Sequence, residues 1–496
     1  MTETLDRPAT TSPPPDRLSR RDVTLIGVLL VSAFVVILNE TIMSVAIPVL
    51  IRDLHVNASS GQWLSTAFVL TMAVVIPVSG FLIQRLTTRT LFAVALGSFA
   101  IGTLMTALSP TFELLLVARI VQGVGAAVIT PLLMTTVMTI VPPRRRGAMM
   151  GNISIVISVA PAVGPTVSGA ILAVLPWPFI FWCVLPFAVA CLVVGLRVMH
   201  NIGETTNVPI DWLSIPLSAL GFGGLVYALN AVGQGAQAGS ISPVAVAVPA
   251  AIGAVALTLF LLRQRALQRT DRALLDLRAF QSRVFSASVA TGALAFLGLL
   301  GSAILLPIYL QQVLGLTPLQ TGLLVLPGGL LMGLLGPVVG RIYDRVGPRP
   351  LLLPGLAIDV VALVVLGTVT ESTPAWFVLV GHVLLSLGLA TILPSVFTAG
   401  LSAVPARYTS YGSAIFATVQ QVGGAAGTAL FVTLLALGAS AAGGPADAAQ
   451  AAGTRLAFLV AAGVYVVTLG IAVMVKRTDV EEDAREESGS GSVVAH

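Results

Sequence analysis

Apolar positions along this chain fall in long continuous runs, separated by short segments rich in Arg, Pro, Gly and polar residues. Fourteen such runs occur, at about 23–50, 62–83, 91–109, 113–140, 148–174, 178–198, 212–232, 242–262, 284–310, 320–340, 350–370, 375–403, 411–438 and 455–475. Each is close to or above the roughly 20 residues that an α-helix needs to cross a bilayer core. Because the runs are continuous rather than alternating, they exclude a membrane β-barrel. The predicted fold class is an all-α integral membrane protein with 14 transmembrane helices. The first run is too long for the core of a signal peptide and has no evident cleavage site. The polar ends, 1–22 and 476–496, are expected to be solvated, disordered tails. The second carries Asp479, Glu481, Glu482, Asp483, Glu486 and Glu487.

Composition sharpens this picture by exclusion. Charged residues make up 9% of the chain, against about 25% in an average soluble protein, and the mean hydropathy is +0.97. A soluble enzyme and a disulfide scaffold are both excluded. Lys476 is the single lysine, so there is no Gly-Lys-Ser/Thr phosphate loop and no built-in ATP motor of that kind. The four His are scattered without metal-ligand spacing, and no metal site is expected. Cys183 and Cys191 read as small buried hydrophobes.

The formal charge of +5 would suggest nucleic acid, but its placement points elsewhere. With the N-terminus on the cytoplasmic side, 23 of the 26 basic residues fall in inner segments, as the positive-inside bias requires. Arg52 and Arg455 are the outer exceptions, and Arg119 lies within a run. An even number of spans puts both termini in the cytoplasm.

An internal repeat organises the spans. Gly80-Phe-Leu-Ile-Gln84-Arg85-Leu-Thr87-Thr-Arg89 matches Gly340-Arg-Ile-Tyr-Asp344-Arg345-Val-Gly347-Pro-Arg349 at an offset of 260, each after the second helix of a half. Arg119 to Pro131 matches His382 to Pro394 at an offset of 263. Helices 1–6 therefore correspond to helices 9–14, with helices 7 and 8 inserted. The expected domains are a six-helix bundle over 23–198, an inserted pair with linkers over 199–283, and a second six-helix bundle over 284–475. Two parallel repeats of this kind are the plan of major facilitator transporters.

The chain resembles the fourteen-helix drug:proton antiporter family of that superfamily over nearly its whole length, and is most similar to its lincomycin- and multidrug-resistance exporters. Leu38-Asn39-Glu40-Thr41-Ile42 through Ala46-Ile47-Pro48 resembles the first-helix motif. The segment from Gly80 to Arg89 resembles the superfamily signature after helix 2, with Gln84 in place of Asp and Thr87 in place of Gly. Arg119-Ile-Val-Gln122-Gly123-Val-Gly125-Ala126 resembles the intramembrane Arg motif of helix 4, and Pro161-Ala-Val-Gly164-Pro165-Thr-Val-Ser168-Gly169 the antiporter motif of helix 5.

These residues carry the functional expectations. A carboxyl deep in a span is costly to keep ionised and is by default functional; Glu40 and Arg119 are expected to form a proton-coupling pair across the central cavity. Asn39, Glu40, Gln122 and Met134 are the expected cavity residues. Pro161, Gly164, Pro165 and Gly169 are expected to give helix 5 a bent, closely packed seam that resists leak. Gly80, Gln84, Arg85 and Arg89 with Gly340, Asp344, Arg345 and Arg349 are the expected gating loops, Gln84 making the weaker latch because hydrogen bonds to charged groups are stronger. Asp359 is a secondary acid candidate, read first as a neutral, structurally satisfied group facing His382 or the inserted pair.

The resulting expectation is a non-enzymatic, proton-driven exporter of hydrophobic or amphipathic drugs in a bacterial cytoplasmic membrane. It would use no cofactor beyond the proton gradient. Its partners would be small substrates, protons and the lipid bilayer, with no nucleic acid, and it would act as a monomer. Export of one natural product is the same-fold rival, and a membrane sensor or scaffold the rival from another class.

Overall fold

The computed structural model describes residues 18–202, 205–206, 209–237 and 242–477. Most of the two expected tails, 1–17 and 478–496, lies outside these residues. Among the described residues there are fourteen long helices: α1 (Arg20–Asp53), α2 (Ala58–Arg85), α3 (Thr88–Leu108), α4 (Phe112–Ile140), α5 (Arg146–Leu172), α6 (Pro178–Val198) and α7 (Ser214–Gln237), then α8 (Pro243–Leu267), α9 (Arg283–Gln312), α10 (Pro318–Val346), α11 (Arg349–Leu366), α12 (Ala375–Ser402), α13 (Thr409–Ala442) and α14 (Ala446–Ala472). All are long and apolar enough to cross a membrane. α1 begins at Arg20 inside the expected tail, and α14 begins nine residues before its apolar run, taking Arg455 into the helix.

Local sequence sets the ends. Asn57, Thr87 and Ser282 cap α2, α3 and α9 by accepting from Ser60 N, Thr90 N and Phe285 N at 2.7, 3.2 and 3.2 Å, which satisfies otherwise orphaned N–H groups. Thr317 and Gln320 form a capping box on α10. Gly347, at φ +83°, ends α10 in a conformation that few side chains tolerate.

Each half repeats one set of contacts. α1 packs on α5, α2 on α4, and α3 on α4 and α6; α9 packs on α13, α10 on α12, and α11 on α12 and α14. The sequence repeat marks equivalent positions. A Cβ at Gly125 would run into Ala95 O and Phe99 on α3, and one at Gly388 into Gly355 O and Asp359 on α11. Ala95 and Gly355, like Phe99 and Asp359, are 260 residues apart.

The halves meet along two seams, α5 against α10 and α13 against α2. The inserted α7 packs on both α2 and α13 beside the second seam, with Trp63 and Tyr227 rings 5.9 Å apart. α8 leans on α7 through Gly221, Gly224 and Gly253, and turns Val248, Val255, Leu259 and Leu262 outward. Cys191 is buried but Cys183 is exposed, against the expectation that both are core.

The linkers of the inserted pair are fastened at the bundle end that carries most of the Arg. Arg263 donates to both oxygens of Asp211 at 2.7 and 2.6 Å. Those bonds, with Ser214, hold the Asp211 carboxyl down at about 2. After α8, Arg278 pairs with Asp276 at 2.6 Å and with Asp271, which draws the Asp271 carboxyl below its usual range.

Candidate functional site

Glu40 lies 13 residues from the end of α1, about 20 Å deep at 1.5 Å per residue. Its neighbour Thr41 sets the crossing of α1 with α5. Thr41 Oγ1 bonds Leu38 O at 2.9 Å and reaches Ala160 O on α5 at 3.5 Å. A Cβ at Gly164 would overlap that hydroxyl, and Ser168 Oγ donates to Ile42 O at 3.3 Å. The helix 5 motif thus places small residues against the segment that bears the carboxyl. Pro161 and Pro165 sit inside α5 on its exposed side.

Arg119 is 1% exposed. Its Nε donates to Leu64 O on α2 at 3.1 Å, one Nη donates to Gln122 Oε1 at 2.7 Å, and its guanidinium lies 4.2 Å from the centre of the Phe68 ring. Gln122 passes the chain on to Thr103 Oγ1 on α3 at 2.9 Å. Arg119 is the cation whose charge acts on Glu40, but among the described residues no ion pair joins the two. The guanidinium's hydrogen bonds go to Leu64 on α2 and Gln122 on α4, so the expected coupling pair is not joined by a direct bond.

The expected cavity set changes too. Gln122 is fully buried between Arg119 and Thr103, and Met134 is fully buried core. Asn39 is also fully buried, and among the described residues neither its amide oxygen nor its amide nitrogen has a partner. Only Glu40 of the four keeps partial exposure. One turn of helix separates faces by about 100° per residue, so a short motif cannot aim all its members at one space.

The segments expected to gate lie at the Arg-rich end, where the two halves meet. Asp344 accepts from Gly147 N at 2.8 Å and Ala148 N at 2.9 Å, at the start of α5. There an anion suits both the open donors and the helix dipole. Its repeat partner Gln84 donates to Arg407 O and to Ser410 Oγ, both at 2.9 Å, at the start of α13. A Cβ at Gly80 would meet Ser410 O at 3.0 Å, and one at Gly340 would overlap Gly147 O. Arg349 donates to Val473 O at 2.6 Å, so it clips α11 to the end of α14 rather than to the other half. Arg345 and Arg89 are exposed; the Arg345 carbonyl accepts from Arg477.

Sequence reasoning missed the closest part of this seam. Gly147 and Gly151 on α5 face Gly340 and Gly336 on α10, backbone to backbone. The four-residue spacing of small residues on both helices was the available signal. Contact continues through Gly333 with Val159 and Gly329 with Ala162. Seven residues further along the same faces stand Gly169 and Gly322, and neither has any neighbour within 4 Å of where its Cβ would be. α5 and α10 therefore touch from the Arg-rich end to mid-span and then diverge. The expectation that Gly169 is closely packed is corrected; Gly164 is, but against Thr41 of α1 rather than against α10.

Asp359 is fully buried, packed on Gly388 and near Tyr465 of α14, and among the described residues neither of its oxygens has a partner. It is neither satisfied nor turned to the inserted pair. His382 bonds Val325 O at 3.1 Å on α10. Among the described residues no group of three or more His, Cys, Asp or Glu could hold a metal ion.

A helical bundle built from two repeats, closed at one end and splayed at the other, matches known proteins over its length. The family model for the Major Facilitator Superfamily covers residues 29–428. The lincomycin resistance protein LmrB of Bacillus subtilis (strain 168) is 40% identical over 462 residues, 91% of this chain and 95% of LmrB. This chain belongs to the major facilitator superfamily, in its drug-exporter family. An uncharacterised MFS-type transporter of the same organism, YcnB, is 39% identical over 455 residues, again 91% and 95% of the two chains. In fold it is similar to the proton:xylose symporter XylE, with a TM-score of 0.66 at 13% identity over 94% of this chain and 99% of XylE. The transporter is a multi-pass membrane protein.

Proposed function

We propose that this transporter exports hydrophobic or amphipathic drugs in exchange for protons, by alternating access across a bacterial cytoplasmic membrane. The observation that carries the reading is Glu40: a carboxyl about 20 Å into α1, beside the Thr41–Gly164 crossing and under the field of Arg119. A carboxyl in such a place changes charge state as its surroundings open or close. Protonation at the outer face and release at the inner face would drive the cycle. The name of LmrB supports lincomycin as a first substrate to try. The placement of basic residues supports the Arg-rich end as cytoplasmic, which makes the described state outward-open. The chain would work as a monomer and without a cofactor.

Everted vesicles containing the protein should take up lincomycin or an amphipathic dye when a proton gradient is imposed, and should leak protons inward-to-outward on drug addition. Glu40→Gln should abolish both while the protein remains folded. Gradient-driven uptake by Glu40→Gln equal to wild type would remove Glu40 as the carrier. For orientation, single Cys at 55 and 445, on a background lacking Cys183 and Cys191, should react with an impermeant thiol reagent in intact cells. Cys at 146, 276 and 345 should not.

A further inference from the structure

At the Arg-rich end, a cavity of about 580 Å³ opens between the two halves. Arg144 and Arg145 line it from the α4–α5 connection, and Arg341, Arg345 and Arg477 line it from the other half, with Asp344 as the acid in the lining. Among the described residues, the lining carries five guanidinium groups and one carboxylate. Both Asp344 oxygens already accept backbone N–H groups of α5. Arg477 spans the wall, donating to Asp344 O at 2.8 Å and Arg345 O at 3.4 Å, while its Nε is buried and, among the described residues, without a partner. Leu18 and Met149 supply an apolar side.

The arrangement creates an electrostatic problem in the closed state. Closing this end brings Arg144 and Arg145 of one half towards three Arg of the other, and like charges in a partly desolvated cleft repel. An oxyanion between them would reverse the sign of that interaction, since guanidinium groups bind tetrahedral oxyanions through paired N–H donors. We infer that this cleft is an anion site for a phosphate group, carried by an anionic lipid headgroup or free in solution, and that its occupancy favours closure of this end. The inference does not depend on what the transporter exports.

By linkage, an anion that binds the closed form better must shift the population towards it. Purified full-length protein should be stabilised against heat by inorganic phosphate but not by chloride at equal ionic strength. In nanodiscs, phosphatidylglycerol should stabilise more than phosphatidylcholine. A response to phosphatidylglycerol alone assigns the site to headgroups, and a response to both assigns it to phosphate in general. Arg145→Gln with Arg341→Gln, two exposed side chains, should weaken phosphate or headgroup binding by about tenfold or more, the value of one lost charge-assisted bond. Labelling of Gly322→Cys, on the background without native Cys, should rise with the anion as the opposite end opens. No stabilisation by either phosphate source, or stabilisation that survives the double substitution, would overturn the site. Binding without any change in Gly322→Cys labelling would overturn the link to closure.

Discussion

Arg119 and His382 hold equivalent places in the two halves, 263 residues apart, and each bonds a backbone carbonyl of the second helix of its half. Arg119 Nε reaches Leu64 O, and His382 Nε2 pairs with Val325 O, both at 3.1 Å. The repeat has kept the contact and changed the charge. Only the first half therefore sets a permanent cation near a titratable helix 1 carboxyl, which makes the two halves electrically unequal. Arg119→Lys keeps the charge but loses the planar fork that serves Leu64, Gln122 and Phe68 together. Proton-coupled drug uptake should fall severalfold in Arg119→Lys and vanish in Arg119→Ala, with His382→Gln far milder. Counterflow and gradient-driven uptake, measured side by side, separate loss of coupling from loss of binding.

The two gating segments should also prove unequal. Asp344 makes two charge-assisted bonds to α5, each worth about 1.5–3 kcal/mol, whereas a neutral bond such as those of Gln84 is worth about 0.5–1.5 kcal/mol. Asp344→Asn should impair transport and raise labelling of a Cys in the Arg-rich cleft more than Gln84→Ala does. Equal effects at matched expression would end the asymmetry.

Opposite substitutions on one helix should trap opposite states. Gly151→Leu places a side chain against Gly336 backbone and should hold the Arg-rich end open. Gly169 has open space around it in the described state. Gly169→Leu should fold normally yet block closure of the far end. Spin-label distances across each end would show the two variants shifted in opposite directions, both inactive in transport.

Asp359 stands where the first half has Phe99, and among the described residues its buried carboxyl has no partner. An unsatisfied buried polar group costs about 1–3 kcal/mol. Asp359→Leu should raise the unfolding temperature and leave lincomycin uptake intact. Loss of uptake with unchanged stability would instead give Asp359 a part in transport.

The Asp211–Arg263 pair gives a pH signature. The folded carboxyl titrates at about 2, below the ordinary aspartate value of about 3.9. Its stabilisation is therefore complete above about pH 4 and is lost as pH falls towards about 2. Wild type should melt above Asp211→Asn at pH 7, and the gap should close between about pH 4 and about pH 2. A gap unchanged through that window would mean the charge is not what holds the linker.

The all-helical fold and the number of spans were legible in the sequence. Bilayer thickness makes each crossing a run of about 20 apolar residues, and charge placement sorts the loops without any knowledge of packing. Glu40, Arg119 and Asp344 could be singled out for the same reason, since a charge in or beside a span stands out against an apolar background. Which way each side chain points was decided by tertiary structure. Gln122 and Met134 were expected to line the cavity, yet helix rotation buries both. Gly164 and Gly169 look alike in sequence, but only Gly164 meets another helix. Nothing local marks Arg119 as spent on Leu64, 55 residues away, or Asp344 as bonded to Gly147, 197 residues away. The first pairing depends on how α2 and α4 pack within one bundle and the second on how the two bundles meet, relations that exist only once the helices have folded together.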